Sequence, residues 1–204
     1  MSLPVYGLTG GIACGKSTAA LLLRERGWTV VESDEIAHRL MAPGAENWRN
    51  IVDAFGREVL NPDQTINRGS LGDMVFREPR LREKLNSLTH PAIRKAWQQE
   101  RERFLETISP ANTGKSPGAG SGGFVVVIPL LFEVGLEKEF TRVICLGCSA
   151  GTQWKRMAQR GLNPLQIEQR LQSQLPLEEK AKRSDRVLWN EGSRSSLKAQ
   201  IALL

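Results

Sequence analysis

The chain has 204 residues, of which 40% are hydrophobic and 25% charged, and its formal net charge is +6. These values are close to those of ordinary globular domains and allow one domain with a well-packed core. No apolar run approaches the roughly 20 residues that span a bilayer, and the N-terminus shows no signal peptide. We therefore expect a cytoplasmic protein without a membrane partner.

The positive charge is spread along the chain rather than concentrated. Basic residues are interleaved with acidic ones, and no tract of five consecutive basic residues occurs. This pattern does not favour a nucleic-acid partner, although it suits the binding of small anionic molecules.

The three cysteines, Cys14, Cys145 and Cys148, are an odd number and do not predict a disulfide framework. Cys145 and Cys148 form a single C-x-x-C pair, which supplies only two ligands for a metal ion. Zinc would also need the only two histidines, His38 and His90. We expect all three thiols to be reduced packing residues, with alkylation of Cys14 obstructing whatever its loop binds.

The first half of the chain begins with a strand–helix–strand unit. Residues 5–8 predict a strand, 16–26 a helix ended by Gly27, and "WTVVES" a second strand. A short helix follows at 34–41 and is stopped by Pro43 and Gly44. Residues 48–108 are predicted to be mostly helical, with breaks at Gly56, Asn61-Pro62, Gly69 and Pro91.

The second half continues the alternation of strands and helices. Residues 109–123 are rich in Ser, Gly and Pro and predict a flexible surface loop. "FVVVIPLLF" and "RVICLG" predict buried strands, and "RVLWN" a last strand. Helices are predicted at 149–160, after the cap at Asn163, over "LEEKAKRS", and from Ser193 to the end. The sum is an α/β fold with a five-stranded parallel sheet and helices on both faces.

The segment "GGIACGKS" fits G-x-x-x-x-G-K-[ST] at Gly10, Gly15, Lys16 and Ser17. Glycines let the backbone turn tightly and direct its N–H groups at a polyphosphate, and the helix that follows adds the positive end of its dipole. Lys16 would meet the charge of the outer phosphates, and the Ser17 hydroxyl would bind Mg²⁺. We predict ATP binding by the residues Gly10, Gly11, Ile12, Ala13, Cys14, Gly15, Lys16, Ser17 and Thr18.

Other residues narrow the class of nucleotide-binding protein. The N-K-x-D tetrapeptide expected of a GTP switch is absent, and the strand "FVVVIPLL" does not end in the acidic residue expected of a large ATPase. Asp34 follows the second strand, at the edge of the sheet where ligands bind. We expect Asp34 to orient an acceptor hydroxyl, while a role as helix N-cap for Ile36 onward stays open.

The residues from Tyr6 to about Gly192 resemble the dephospho-coenzyme A kinase family. The resemblance depends on "GLTGGIACGKS", "ESDEIAHRLMAPG", "LTHPAIR", "IPLLFE", "QWKRMAQRG" and "SDRVLWNEG", in this order. It implies a P-loop NTPase fold with a helical substrate lobe and a lid. It also implies transfer of the ATP γ-phosphoryl group to the ribose 3′-hydroxyl of dephospho-CoA, which is the last step of coenzyme A biosynthesis.

Carried over position by position, the resemblance implies roles for particular residues. Asp34 becomes the catalytic base candidate, with Glu32 where the family has Asp, and Val127 where an acid is frequent. Lys16, Arg156 and Arg160 are the other catalytic candidates, the two arginines lying one turn apart on a lid helix. Asn190 is expected beside the adenine of ATP. The substrate-binding candidates are His90, Leu130, Leu131 and Glu133, together with Asp34.

We predict a single kinase domain over residues 1–204, with core segments 1–34, 124–148 and 184–204. The substrate lobe is expected at about 35–108 and the lid at about 149–183. Predicted partners are ATP with Mg²⁺ and dephospho-CoA, in a monomer or small homo-oligomer. Two alternatives stay open: a P-loop kinase for another alcohol, and a non-catalytic ATP-dependent protein that touches RNA.

Overall fold

The computed structural model describes residues 4–107 and 122–204, except for the side chain of Phe76. The predicted loop at 109–123 therefore lies outside the described residues, apart from its last two positions. The chain forms two compact units. The first contains the residues up to Val31 together with those from Phe104 onward, and the second is Glu32–Arg103. The finer division into core, lobe and lid stays a prediction.

The sheet of the first unit has five strands in the order β2-β3-β1-β4-β5. The central strand β1 pairs in parallel with β3 and β4, and β4 pairs in parallel with β5. All six residues of β1 are buried. The predicted five-stranded parallel sheet is thus confirmed. The strands are β1 (Val5–Gly10), β2 (Thr29–Glu32), β3 (Phe124–Val127), β4 (Arg142–Gly147) and β5 (Arg186–Trp189).

The helices follow the strands in the alternation that the sequence predicts. None of the helices within residues 4–107 and 122–204 is long and apolar enough to cross a bilayer. Short 3-10 helices occur at Arg57–Val59 and Glu137–Glu139. The α-helices are α1 (Lys16–Glu25), α2 (Ser33–Leu40), α3 (Glu46–Phe55), α4 (Arg68–Arg77), α5 (Pro79–Thr107), α6 (Ala150–Ala158), α7 (Pro164–Gln172), α8 (Leu177–Lys182) and α9 (Arg194–Ile201).

Local signals set several helix ends where they were predicted. Gly27 follows α1 with φ of 79°, a conformation that glycine adopts without a steric penalty. The Asn163 side chain accepts a hydrogen bond from the Gln166 backbone in a complete capping box, with Pro164 in the first turn of α7. Ser193 caps α9 by accepting from the Ser196 backbone.

The core of the first unit follows from the alternation of side chains along the strands. Tyr6 and Leu8 of β1 face the same side as Ile144 and Leu146 of β4, and this face is covered by α1 and α9. The intervening position Cys145 faces the other side, where α8 packs against β1 and β4. Helices therefore cover both faces of the sheet, as predicted.

The second unit has its own small core, in which α3 contributes Ile51 and Phe55. These side chains pack with Val59, Ile66 and Leu71, all of them buried. Gly56 ends α3 with φ of 83°, which confirms the break predicted there. The unit can bury its own apolar surface, so it is more than a connection between strands.

Two predicted helix breaks in this unit are wrong. Gly69 is the second residue of α4, whose cap is Asn67, and Pro91 lies inside α5, a helix of 29 residues. Proline removes only one backbone donor from a helix. The helix continues through Pro91 with Thr89 and Trp97 buried on either side of it.

Candidate active site

The glycine-rich loop (residues 10–15) joins β1 to α1 at the carboxyl edge of the sheet. Gly10 has φ of 144° and Gly15 has φ of 96°, so both need the freedom of glycine. A Cβ atom on Gly10 would lie 2.2 Å from the Leu146 carbonyl oxygen, and one on Gly15 would lie 2.2 Å from Asn190 Nδ2. The spacing of the glycines is therefore required by backbone angles and by close neighbours.

Lys16 folds back over the loop from the first position of α1. Its Nζ donates to the Gly10 carbonyl at 3.1 Å and to the Gly11 carbonyl at 2.9 Å. The ammonium group thus lies directly against the turn that would hold an anion. An oxygen of a polyphosphate can replace either carbonyl as the acceptor of this charge-assisted hydrogen bond.

The next three carbonyl groups of the loop each accept a hydrogen bond from a side chain that is distant in sequence. We call these three donor side chains the carbonyl clamp. Two of them, Gln153 and Arg156, are three residues apart on α6 and so share a helix face. The bonds run from Gln153 Nε2 to the Ile12 oxygen at 2.8 Å, from an Arg156 guanidinium nitrogen to the Ala13 oxygen at 3.1 Å, and from Asn190 Nδ2 to the Cys14 oxygen at 2.9 Å.

These contacts give the loop the polarity of an anion site. Its carbonyl oxygens are held by donors, and the N-cap residue of α1 is Gly15, which has no side chain to bond the first N–H groups of the helix. The first N–H groups of a helix have no partner within the helix, and a run of such groups in a tight turn attracts phosphate. The loop therefore has the features expected of an oxyanion cradle, and its binding of ATP stays a prediction.

Asn190 is itself held from two directions. Its backbone N–H donates to the Gly147 carbonyl at 2.7 Å, and its carbonyl accepts from Arg156 at 2.9 Å. The Asn190 side chain is buried against the loop. The structure therefore gives Asn190 a contact with the loop backbone, while its predicted contact with adenine stays a prediction.

Glu191, two residues after the end of β5, connects this strand to the start of α6 through hydrogen bonds. Its carboxylate accepts from the Thr152 hydroxyl and, at 2.7 Å each, from the backbone N–H and the hydroxyl of Ser149. These hydrogen bonds, the one from Thr152 foremost, lower the pKa of Glu191 to about 2. The carboxylate is therefore charged at neutral pH, and its negative charge stabilises the N-terminus of α6 through the helix dipole.

All three cysteines are free and buried, as predicted. The Cys148 thiol contacts the Cys14 sulfur at 3.4 Å. Burial raises the pKa of Cys14, and it raises that of Cys145 to about 11 and that of Cys148 to about 12. The predicted alkylation of Cys14 would need an accessible thiolate, and this side chain is neither exposed nor readily ionised.

The strand-end motif after β3 divides into exposed and buried residues. Leu130 is 39% exposed, whereas Leu131 is fully buried and approaches Gly7. Glu133 forms an ion pair with Lys180 at 2.8 Å and accepts from the Leu175 backbone at 2.9 Å. Of the predicted substrate-binding residues here, Leu130 is the most exposed, Glu133 keeps 18% of its side chain exposed, and Leu131 has no solvent contact.

Lys180 is the residue at the centre of this network. Its side chain is completely buried, and its Nζ also donates to the Pro129 carbonyl at 2.9 Å. The same carbonyl accepts from the Thr9 hydroxyl at 3.1 Å. Lys180 therefore connects α8 to the segment after β3 and, through Pro129, to the strand that leads into the glycine-rich loop.

A cavity of about 460 Å³ opens beside the glycine-rich loop within the first unit. The loop and α6 form one side of it, and the connection between α7 and α8 forms the other. Its lining residues are Gly11, Ile12, Gln153, Leu171, Gln172, Gln174, Leu175, Pro176 and Leu177. Gly11 and Ile12 of the loop thus contribute directly to the wall of this cavity.

The two lid arginines are not on one helix face as predicted. α6 ends at Ala158, so Arg160 lies in the turn before Gly161, which has φ of 82°. Arg160 is exposed and Arg156 is half-buried. The helix predicted at 149–160 ends two residues earlier in the structure, and Gln159 and Arg160 form the turn that leads to Gly161.

Asp34 and His90 belong to the second unit. Asp34 is exposed and is the second residue of α2, whose N-cap position is Glu32, so the alternative that Asp34 caps this helix does not hold. His90 lies on α5 beside Pro91, and loss of hydration lowers its pKa. The roles of both residues stay predictions.

The structure also shows residues that sequence reasoning missed. Gln153 and Lys180 were in no predicted site, although both contact site segments. The available signals for Gln153 were its place at the start of "QWKRMAQRG" and its spacing of three from Arg156 on a predicted helix. Lys180 gave no signal, because a lysine in "LEEKAK" is typical of an exposed helix face.

Known proteins similar to this chain are dephospho-CoA kinases. The dephospho-CoA kinase (CoaE) family model matches residues 4–196. A dephospho-CoA kinase from Anaeromyxobacter dehalogenans is 40% identical over 194 residues, which cover 95% of this chain and 86% of that one. One from Geobacillus kaustophilus is 37% identical over 196 residues, covering 96% and 92%.

Solved structures agree with the sequence relatives. A dephospho-CoA kinase from Campylobacter jejuni has a TM-score of 0.66 at 29% identity, covering 98% of this chain and 94% of that one. A Thermus thermophilus protein has a TM-score of 0.79 at 29% identity, covering 100% and 97%. A shikimate kinase from Acinetobacter baumannii, at 17% identity and a TM-score of 0.50, is similar in fold. The family match over residues 4–196 and the identity of up to 40% to curated relatives show that this protein belongs to the dephospho-CoA kinase family.

Proposed function

We propose that the protein transfers the γ-phosphoryl group of ATP to the ribose 3′-hydroxyl of dephospho-CoA, giving CoA and ADP. Family membership over residues 4–196 supports the reaction. The observation that carries the proposal is the glycine-rich loop, whose carbonyl oxygens are held by Lys16 and the carbonyl clamp. Phosphoryl transfer needs mainly positioning and charge neutralisation, which such a loop supplies.

Lys16 is proposed to neutralise charge on the transferred phosphoryl group. In the structure its Nζ is within hydrogen-bond distance of two loop carbonyls, so a small movement of the side chain brings it to a bound phosphate. Its charge is most useful as negative charge shifts toward the leaving oxygen of ADP. Replacing Lys16 with Ala is expected to lower turnover by several orders of magnitude.

Asp34 is proposed to orient the acceptor hydroxyl and to take its proton late in the transfer. Its side chain is exposed at the start of α2 and accessible to a ligand. A carboxylate can accept the proton of the hydroxyl, whereas an amide of the same shape cannot. Replacing Asp34 with Asn is therefore expected to lower turnover by several orders of magnitude while preserving the fold.

The divalent cation is proposed to be Mg²⁺, bound with ATP. The residues present fit this ion, because the Ser17 hydroxyl is exposed in the first turn of α1, one position from Lys16. In the described parts of the chain, no three or more His, Cys, Asp or Glu residues form a metal-binding group. Mg²⁺ commonly takes few protein ligands together with phosphate oxygens and water. When bound, it would supply positive charge to the β- and γ-phosphates.

The two lid arginines are proposed to act differently. Arg156 holds backbone carbonyl groups at Ala13 and Asn190, so it positions the loop. Arg160 is exposed, beyond the end of α6, and is the better candidate to reach the transferring phosphoryl group. Closure of the lid over the site would exclude water and limit hydrolysis of ATP.

The substrate-binding residues are also proposed to differ, with some contacting the substrate and others positioning the segment that does. Leu130 is exposed and can contact the acceptor directly. Leu131 and Glu133 would act through the shape of their segment, since one is buried and the other is paired with Lys180. His90 on α5 is proposed to contact dephospho-CoA. The absence of a nucleic-acid partner, the cytoplasmic location and the oligomeric state stay predictions.

The experiment that tests the function mixes the protein with MgATP and dephospho-CoA and measures CoA and ADP by chromatography. Shikimate, a hexose and a nucleoside serve as competing acceptors in parallel reactions. We expect turnover with dephospho-CoA to exceed that with each of them by orders of magnitude. Equal or greater turnover with another acceptor would favour a different small kinase. No ATP consumption with any acceptor, together with salt-sensitive RNA binding, would favour the non-catalytic alternative.

A further inference from the structure

Gln153 is a buried polar side chain next to the glycine-rich loop. Only 6% of it is exposed, and its Nε2 donates to the Ile12 carbonyl at 2.8 Å. The same amide nitrogen would lie 2.6 Å from a Cβ atom on Gly11, so it fills the space that the missing side chain leaves. The position of this amide is therefore set by the loop, and the loop backbone is in turn held by the amide.

We propose that Gln153 is a positioning residue for triphosphate binding, which holds the Ile12 carbonyl away from the anion so that the loop N–H groups face it. The inference rests on the proposed function only in that the loop binds the triphosphate of ATP. Gln153 acts together with Arg156 and Asn190, the other members of the carbonyl clamp. Three consecutive peptide groups are thereby fixed in one orientation.

The physical reason is the cost of turning a peptide group. A carbonyl that loses its donor can rotate toward the bound phosphate, where two electronegative oxygens repel each other. When Gln153 is replaced by a residue that cannot donate, the Ile12 oxygen loses the hydrogen bond that fixes its direction. The hydrogen bond from Gln153 fixes the Ile12 carbonyl before ATP binds. The loop then needs no further ordering on binding, so the affinity for ATP is higher.

The three side chains of the carbonyl clamp come from two different parts of the fold. Gln153 and Arg156 are on α6, which begins the predicted lid, and Asn190 follows β5. A movement of α6 would therefore act on the Ile12 and Ala13 carbonyl groups at the same time. The clamp links the position of this helix to the shape of the glycine-rich loop.

The test compares Gln153→Glu and Gln153→Met with a matched control, Gln159→Glu. Glutamate at 153 has nearly the same shape but places a second acceptor against the carbonyl, and methionine removes the donor without adding charge. Gln159 is exposed at the end of the same helix, so its replacement makes the same charge change outside the clamp. Affinities for tripolyphosphate, MgATP and adenosine are measured by calorimetry, and thermal unfolding checks that each variant is folded.

We expect Gln153→Met to weaken tripolyphosphate and MgATP binding by about fivefold to tenfold, and Gln153→Glu to weaken them further. Adenosine binding and the KM for dephospho-CoA should stay at wild-type values, while the KM for ATP rises. The Gln159→Glu control should match wild type in every measurement. If Gln153→Glu does not fold, Gln153→Met alone decides.

Folded variants that bind tripolyphosphate within twofold of wild type would overturn the inference. An equal loss of adenosine affinity would also overturn it, because Gln153 would then belong to the base pocket. Both results are separate from a failure of the proposed function. A wild-type protein that binds tripolyphosphate but does not phosphorylate dephospho-CoA would contradict the function and leave this test valid.

Discussion

Replacing Lys180 with methionine is expected to lower the free energy of unfolding, because it leaves a largely buried carboxylate without its cation. Lys180 is completely buried, and its partner Glu133 is 18% exposed at a distance of 2.8 Å. The second carboxylate oxygen of Glu133 is buried and has no hydrogen-bond partner among the described residues. Methionine fills most of the space of the lysine chain, so the change tests the charge rather than the packing.

The structure sets the size of the effect. Breaking a buried ion pair from one side costs about 3–5 kcal/mol. The value should fall at the lower end, about 3 kcal/mol, because Glu133 keeps some solvent contact and its bond from the Leu175 backbone. The Pro129 carbonyl keeps the hydrogen bond from the Thr9 hydroxyl, so losing the one from Lys180 adds little to the loss of stability. For a chain of this size, the melting temperature should fall by roughly 6–12 °C.

The assay is urea unfolding followed by circular dichroism, with calorimetry for the melting temperature. Lys182→Met is the matched control, because Lys182 is on the same helix but its pair with Glu179 is exposed. The control should unfold like wild type. The double variant Lys180→Met with Glu133→Gln should recover more than half of the lost stability, since the unpaired charge is gone. A Lys180→Met protein within about 1 kcal/mol of wild type would refute the reasoning.

Three further predictions follow from individual residues. Arg160→Ala should lower kcat and leave the KM for ATP nearly unchanged in steady-state kinetics; a large rise in that KM would place Arg160 in ground-state binding instead. The pKa of Glu191 is lowered from 4.5 to about 2, so its carboxylate stabilises the fold above pH 4.5 and this contribution is lost as the pH falls toward 2. Glu191→Gln should therefore show a weaker dependence of melting temperature on pH in that interval, and an unchanged slope would contradict the assignment. Because burial raises the pKa of Cys14, Cys145 and Cys148, a thiol reagent at pH 8 should label the folded protein far more slowly than the protein in urea, and equal rates would show that the thiols are accessible.

The sequence predicted those features that depend on neighbouring residues. The glycine at position 15 and the lysine after it predicted a turn followed by a helix, and the structure has both. The alternation of apolar runs with helical periodicity predicted the parallel sheet, because buried strands and amphipathic helices each have a characteristic period. Caps such as Asn163 are equally local, since the side chain bonds a backbone group three residues away.

Errors occurred where packing overrides a local preference. Proline usually ends a helix, yet Pro91 lies within α5, with the buried residues Thr89 and Trp97 on either side of it. Arg160 was predicted to lie on the helix but follows its end at Ala158. Periodicity alone locates a helix end only to within one or two residues.

The partners of the glycine-rich loop were decided by tertiary structure alone. Gln153 and the Ile12 carbonyl are 141 residues apart in the chain, and Asn190 and the Cys14 carbonyl are 176 apart. Lys180 reads as an exposed helix position in sequence and is fully buried in the fold. A residue's neighbours in sequence set its backbone angles and its helix or strand period, but a hydrogen bond across such separations exists only after the sheet and helices have brought the two groups together.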